Sequence, residues 1–211
     1  MYLGSRILAG LATLTLAGAA AGAAVPTADA ATTACGSSCV ALVSQEWGAG
    51  YVSSVAGLDA RGRHVILAAA GAYPAEDFQL EYVAPVALLY TDGIVGSAVG
   101  TTWPSDDAYE YQYTPDGNDT GLCLGTAATA VNGTGIGLET CGVNASTLWI
   151  TLSGDYAHGY EPLINGTDTN ATTPYVLTAG AVGDTLTTQE LYQVGDAIAP
   201  AQMWRNRSGV L

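Results

Sequence analysis

Thr120-Gly-Leu-Cys-Leu-Gly125, followed by Gly137-Leu-Glu-Thr-Cys-Gly142 and Thr147-Leu-Trp149, lies near the middle of the chain, with weaker copies on either side. Each copy runs from an early apolar, strand-like position to a late aromatic residue. Val52 to Phe78 spans 26 residues, Leu122 to Trp149 spans 27 and Val176 to Trp204 spans 28. Leu67 and Leu138 also stand eleven residues before Phe78 and Trp149, whereas Leu191 lies thirteen before Trp204, so a longer turn is expected in the third copy. Self-similarity at a fixed period outranks local propensity, because each copy folds as one unit and buries its apolar face against the others. Three copies predict a threefold structure.

Short runs rich in Val, Ile, Leu, Thr and Tyr alternate with Gly, Asn, Asp and Pro clusters, and helical periodicity is hard to find after residue 40. Val65-Ile-Leu67, Glu110-Tyr-Gln-Tyr113, Leu148-Ile-Thr-Leu152 and Tyr175-Val-Leu-Thr178 read as strands. Pro115-Asp-Gly117, Asn132-Gly133, Asn165-Gly166 and Gly183-Asp184 read as tight turns. The fold class is therefore all-β, and a closed barrel is one way such a chain removes its sheet edges. A single domain is expected over residues 31–211, with repeats at about 48–82, 115–160 and 165–211. Two segments fall outside the copies. Cys39-Val-Ala-Leu-Val43 reads as an extra edge strand or a short helix, and Val83 to Thr114 reads as an insertion that is either functional surface or a lid over the barrel's open end.

The third copy carries Gln202-Met-Trp204 in full, the second has Thr147-Leu-Trp149 with Cys123 and Cys141, and the first retains only Glu76-Asp-Phe78. This layout resembles the ricin-B type β-trefoil family over about residues 48–211. The resemblance implies a six-stranded barrel capped by three hairpins, with Phe78, Trp149 and Trp204 as core residues. It also implies a bridge within the second repeat between Cys123 and Cys141, leaving Cys35 and Cys39 to pair locally, although four cysteines allow three connectivities and sequence alone does not choose. Carbohydrate binding is the implied function. A competent repeat of that family places an Asp after its first Cys strand, a stacking aromatic, and an Asn before the Gln-x-Trp. Here the Asp positions hold Ser54, Gly125 and Thr178, and the Asn positions hold Ala75, Ser146 and Ala201. No copy keeps both polar groups, which puts sugar recognition at the usual pockets in doubt.

The first thirty residues offer Arg6, an Ala, Leu and Gly-rich run from Ile7 to Ala24, and Ala28-Asp-Ala30, the order of a cleavable secretory signal. A secreted product without stable membrane insertion is expected, and in that setting the four cysteines are expected to be oxidised rather than zinc-bound. The chain has 19 acidic residues against five basic, no Lys, and a formal charge of −14. After residue 30 its only cations besides two His are Arg61, Arg63, Arg205 and Arg207. Phosphate backbones are bound through Lys and Arg, so nucleic acid is excluded as a partner and anionic lipid is a poor one. The Ala and Gly-rich, Lys-free composition resembles that of GC-rich bacterial proteins, and in such a source the six Asn-x-Ser/Thr triplets are expected to be silent.

His64 and His158 sit in turn-like segments with no nucleophile elbow nearby, so a Ser, His and acid set is not indicated. Asp106, Asp107, Glu110 and Glu139 leave an acid pair for glycoside hydrolysis as the competing reading. Asp116-Gly-Asn-Asp119 and Asp168-Thr-Asn170 are explained by Asx turns more simply than by calcium, and no cofactor or metal is expected. The candidate ligand surface is Trp103, Asp106, Asp107, Tyr109 and Tyr111 in the insertion, where aromatic and carboxylate neighbours suit a neutral extracellular glycan. An inhibitor or other protein-interaction role on a trefoil frame is the third reading. Oligomeric state is not encoded legibly.

Overall fold

The computed structural model describes residues 39–55, 57, 59–72, 78–152, 159–195 and 197–208. The expected signal segment, Cys35, Glu76 and His158 lie outside these residues. Fourteen strands and two short helices follow one another: β1 (Cys39–Ser44), β2 (Tyr51–Val55), β3 (Val65–Ala69), β4 (Phe78–Pro85), α1 (Val86–Thr91), α2 (Ser97–Thr102), β5 (Asp107–Tyr113), β6 (Leu122–Thr126), β7 (Thr134–Thr140), β8 (Trp149–Thr151), β9 (Leu163–Asn165), β10 (Tyr175–Thr178), β11 (Thr187–Glu190), β12 (Gln193–Val194), β13 (Ala197–Ile198) and β14 (Trp204–Ser208).

Six of these strands form a closed barrel. Antiparallel pairing runs β1 to β4, β4 to β5, β5 to β8, and β8 to β9. A bridge between Glu161 and Trp204 joins the approach to β9 with β14, and β14 pairs with β1 over five residues. The hairpins β2–β3, β6–β7 and β10–β11 sit at one end and touch one another through β7 with β11 and His64 with Gly137. The three structural units are thus 39–85, 107–151 and 163–208. Each consists of a barrel strand, a hairpin and a second barrel strand. The first unit begins at β1, the segment whose sequence reads equally as an edge strand or a helix.

Side-chain direction alternates along a strand, so register decides which residues fill the barrel. Val40, Leu42, Phe78, Tyr111, Tyr113, Trp149, Leu163 and Trp204 point inward and join hairpin residues such as Leu67, Leu124, Leu138 and Leu177 in one buried cluster. The two tryptophans are fixed the same way. Trp149 Nε1 donates to the Leu124 carbonyl at 2.9 Å, and Trp204 Nε1 to the Leu177 carbonyl at 2.8 Å. A buried indole needs such an acceptor, and each bond ties a barrel strand to its own hairpin. Phe78, at the same place in the first unit, has no N–H to donate.

Val83–Thr114 resolves into three parts: the end of β4, the helices α1 and α2, and the barrel strand β5. The helices were not foreseen from periodicity, since six residues make less than two turns. Val86, Leu89, Val95 and Val99 pack on Ala84, Ala108, Ile150 and Ile164, which alternate with the inward residues and so face outward. The helical insert therefore covers the barrel's flank and is not a lid across its end. Gly100 lets the helices meet closely, because a Cβ there would lie 2.2 Å from the Tyr90 ring.

Cys123 and Cys141 form a disulfide that closes an 18-residue separation between β6 and the end of β7. Cys39 is also disulfide-bonded, and no free cysteine is present among the described residues.

Candidate functional site

In the second repeat the pocket implied by the ricin-B resemblance is filled by the protein itself. At Gly125 an added Cβ would stand 2.8 Å from the Ser146 backbone oxygen and 3.2 Å from Thr147 Cγ2, so no carboxylate side chain fits. Ser146, at the Asn position, turns its hydroxyl onto Asn144 Oδ1. Thr178 donates to the Val176 carbonyl at 3.0 Å and accepts from Gln202 Nε2 at 3.3 Å. Gln202 itself also donates to the Glu190 carbonyl at 2.8 Å and accepts from the Tyr192 N–H at 2.7 Å, locking the turn before Trp204. Ser54 is fully buried and its hydroxyl has no hydrogen bond.

Other polar groups singled out from sequence are committed to structure. Glu110, buried on the outer face of β5, accepts from Thr147 Oγ1 at 2.5 Å and from the N–H groups of Gly142 and Val143. It thereby steadies Val143, whose φ of 53° is unusual for a β-branched residue. Glu139 pairs with Arg61 at 2.7 Å. Asp168 accepts from the N–H groups of Asn170 and Tyr175, an Asx turn rather than a metal loop, and burial raises its carboxyl against the lowering effect of those bonds. His64 is exposed beside Arg61, Gly62 and Arg63 in a shallow depression of about 160 Å³.

The five residues of the candidate ligand surface are dispersed. Trp103 is half-buried against the flank cluster under α2, and Asp106 is buried where the chain enters β5. Tyr111 is 0% exposed in the barrel core and is unavailable as a surface contact. Asp107 and Tyr109 share the inward face of β5 with it but lie further from the hairpins. These two stand at the barrel's open end.

Sequence reading missed the residues that complete this end. Tyr82 pairs with Tyr109 across β4 and β5, with ring centroids 5.8 Å apart, and is 57% exposed. Glu161 occupies the approach to β9, two positions before the inward Leu163. Asn206 lies on β14 opposite the inward Leu42 and two positions beyond Trp204. Within-repeat pairing identifies the threefold relation: Val40 faces Phe78, Tyr109 faces Trp149, and Glu161 faces Trp204. Val40, Tyr109 and Glu161 are therefore equivalent positions. An alignment that begins each repeat at its first barrel strand would have paired them.

The electrostatics of this end are unusual for an exposed surface. Burial raises the Tyr109 phenol above its usual 10.0, and Asp107, Glu161 and Tyr82 raise it further. Burial also raises Glu161 above 4.5. At the floor, burial pushes the Tyr111 phenol far up; nearby Asn206 opposes this, while Glu161 and Tyr109 add to it. The Tyr111 hydroxyl and the Asn206 side chain thus lie within reach of each other at the floor. Among the described residues, Arg61–Glu139 is the one ion pair, so no cation answers Asp107 or Glu161. Arg205 lies over the Tyr160 ring at 4.7 Å and Arg207 donates to the Ala49 carbonyl, both from the outward face of β14.

No family model and no curated relative matches this chain. Solved structures do. A designed threefold-symmetric protein, ThreeFoil, superposes with a TM-score of 0.52 at 14% identity, over 80% of this chain and 97% of that one. The BEL β-trefoil gives 0.51 at 13% identity, over 82% and 94%. A mosquitocidal holotoxin gives 0.56 at 12% identity over 82% of this chain, a match to 17% of the toxin's length. Together with the closed barrel and its three hairpins, these likenesses define the class: the chain folds as a β-trefoil. Identities this low speak for the fold alone.

Proposed function

We propose that this protein is a secreted, non-catalytic binding module for an extracellular carbohydrate or other surface polymer, and that it engages its ligand at the open end of the barrel rather than in the repeat pockets. The observation that carries this reading is the contrast between a Gly125 pocket filled by the Ser146 backbone and a barrel end where an exposed Tyr82 and a half-buried Tyr109 meet the carboxylates of Asp107 and Glu161. Tyrosine rings cover the apolar face of a sugar ring while carboxylate and amide groups bond its hydroxyls. Export is supported by the disulfide chemistry, since such bridges persist in oxidising compartments. No helix among the described residues is long and apolar enough to cross a membrane.

A glycan array probed with the full chain tests this reading. Wild type and Trp103→Ala should give the same hits, and Tyr82→Ala should lose them. An empty array for wild type removes the reading, and loss in Trp103→Ala with retention in Tyr82→Ala would move the site to the flank.

A further inference from the structure

Among the described residues, the open end carries two carboxylates without a cation and two neighbouring π faces, while Arg61, Arg205 and Arg207 are engaged elsewhere. That combination differs from a site for a neutral sugar, where one carboxylate normally suffices to bond two hydroxyls. Asp107 and Tyr109 are two residues apart on the inward face of β5, and Tyr82 stands across from Tyr109. Glu161 enters from the approach to β9, two strands round the barrel from β5, and is held there by its bridge to Trp204. Aromatic faces attract a positively charged nitrogen through their quadrupoles, most strongly where water is partly excluded, and a carboxylate pair adds to that attraction. Beneath them the Tyr111 hydroxyl, which is 0% exposed, lies against the Asn206 side chain and closes the floor.

We infer that the barrel end takes a protonated amine carried on a hydroxylated scaffold, the chemistry of a polymer of amino sugars with free amines. In this inference, which rests on the barrel-end binding reading, Asp107 and Glu161 supply the countercharge and acceptors for hydroxyls, and Tyr82 and Tyr109 supply the π faces. Charge discriminates here against the N-acetylated form of the same sugar, which keeps the hydroxyls but has no cation to offer. Acidity over the whole surface assists by drawing a polycation toward the protein, an effect that falls with salt.

Calorimetric titration of the full chain with a glucosamine hexamer and with its N-acetylated counterpart is the test. The free-amine hexamer should bind at least about tenfold tighter, and the preference should shrink as salt rises. Glu161→Gln should reduce that preference while leaving the protein folded, and Tyr82→Phe should retain it, since the ring is what the amine meets. Equal affinity for both hexamers, or an unchanged preference in Glu161→Gln, overturns the inference while leaving a neutral-glycan site intact. If the free-amine hexamer does not bind while the array shows hits lost in Tyr82→Ala, only the charge assignment fails. No binding of either hexamer together with an empty array defeats both.

Discussion

The hairpin-facing layer of the barrel and its open end are built from threefold-related positions, yet they treat the symmetry differently. Phe78, Trp149 and Trp204 are three large buried rings, and two of them make the same bond to a hairpin carbonyl. Their pairing partners Val40, Tyr109 and Glu161 are an aliphatic, a phenol and a carboxylate. Packing explains the first set, because a closed barrel must fill its centre with similar volumes from each unit. Packing accounts for Val40, which joins the buried cluster, but not for Tyr109 or Glu161. Where the frame has no need of likeness, the units have diverged, and a symmetric scaffold presents an asymmetric surface.

The comparison breaks first if the inner rings prove dispensable. Trp204→Ala should destabilise by about 3–5 kcal/mol through the cavity alone, with a further contribution from the orphaned Leu177 carbonyl. Urea denaturation should show the same for Trp149→Ala; an effect as small as that of a surface substitution would end the idea of a ring-filled core. Next in size is the bridge. Replacing Cys123 and Cys141 by Ser opens an 18-residue loop, worth about 3 kcal/mol in the chain-entropy model and therefore about 6 to 12 °C in Tm for a domain of this size. An unchanged melt would mean that β6 and β7 are held without it.

Gly125→Asp sharpens the comparison from the side of the repeat pockets. It restores the residue that the ricin-B pattern calls for, but it drives a Cβ to 2.8 Å from a backbone oxygen, and should cost about 1–3 kcal/mol without creating a sugar site. A gain of binding on the array would show that the pocket can reopen.

The smallest effects should lie at the open end. Tyr82→Ala, at an exposed ring, should change stability by no more than about 0.5 kcal/mol. Glu161 has its carboxyl raised by burial, so the folded state holds that proton more tightly than the unfolded chain does. Its contribution is therefore most favourable below the unfolded value and is lost as pH rises through the folded one. Wild type should gain stability relative to Glu161→Gln as pH falls from neutrality toward the carboxylate range, measured as the difference between the two melting curves. A difference that stays flat with pH would show that Glu161 is solvated like any surface acid.

The fold was legible because its evidence is periodic: three spacings close to one another and one complete Gln202-Met-Trp204 motif. The first barrel strand was ambiguous for a physical reason. All six residues of β1 are buried, since Val40 and Leu42 face the barrel while Ala41 and Val43 face a separate cluster with Tyr160 and Met203. A strand covered on both sides loses its alternation, and with it the period that would have marked it. Losing β1 from the first repeat shifted the repeat boundaries and hid the equivalence of Val40, Tyr109 and Glu161. The turn at Asn165-Gly166 was readable, but its cause was not positive φ. Gly166 is required because a Cβ would lie 2.6 Å from the Ala145 carbonyl, a contact between distant segments that no local pattern encodes. Asp107 and Tyr109 were found through composition; Tyr82, Glu161 and Asn206 belong to other strands, and only register brings them to the same end.

Closure of the barrel by β14 against β1 has a kinetic consequence. The strand that seals the cylinder is the last of the fourteen to be synthesised, and its partner is the first, so the pairing spans almost the whole described chain. Closing a loop of that length is entropically slow, and contacts this remote delay folding. Until β14 arrives, β1 presents one unpaired edge to its surroundings, an opening for misassembly during the interval between synthesis and completion.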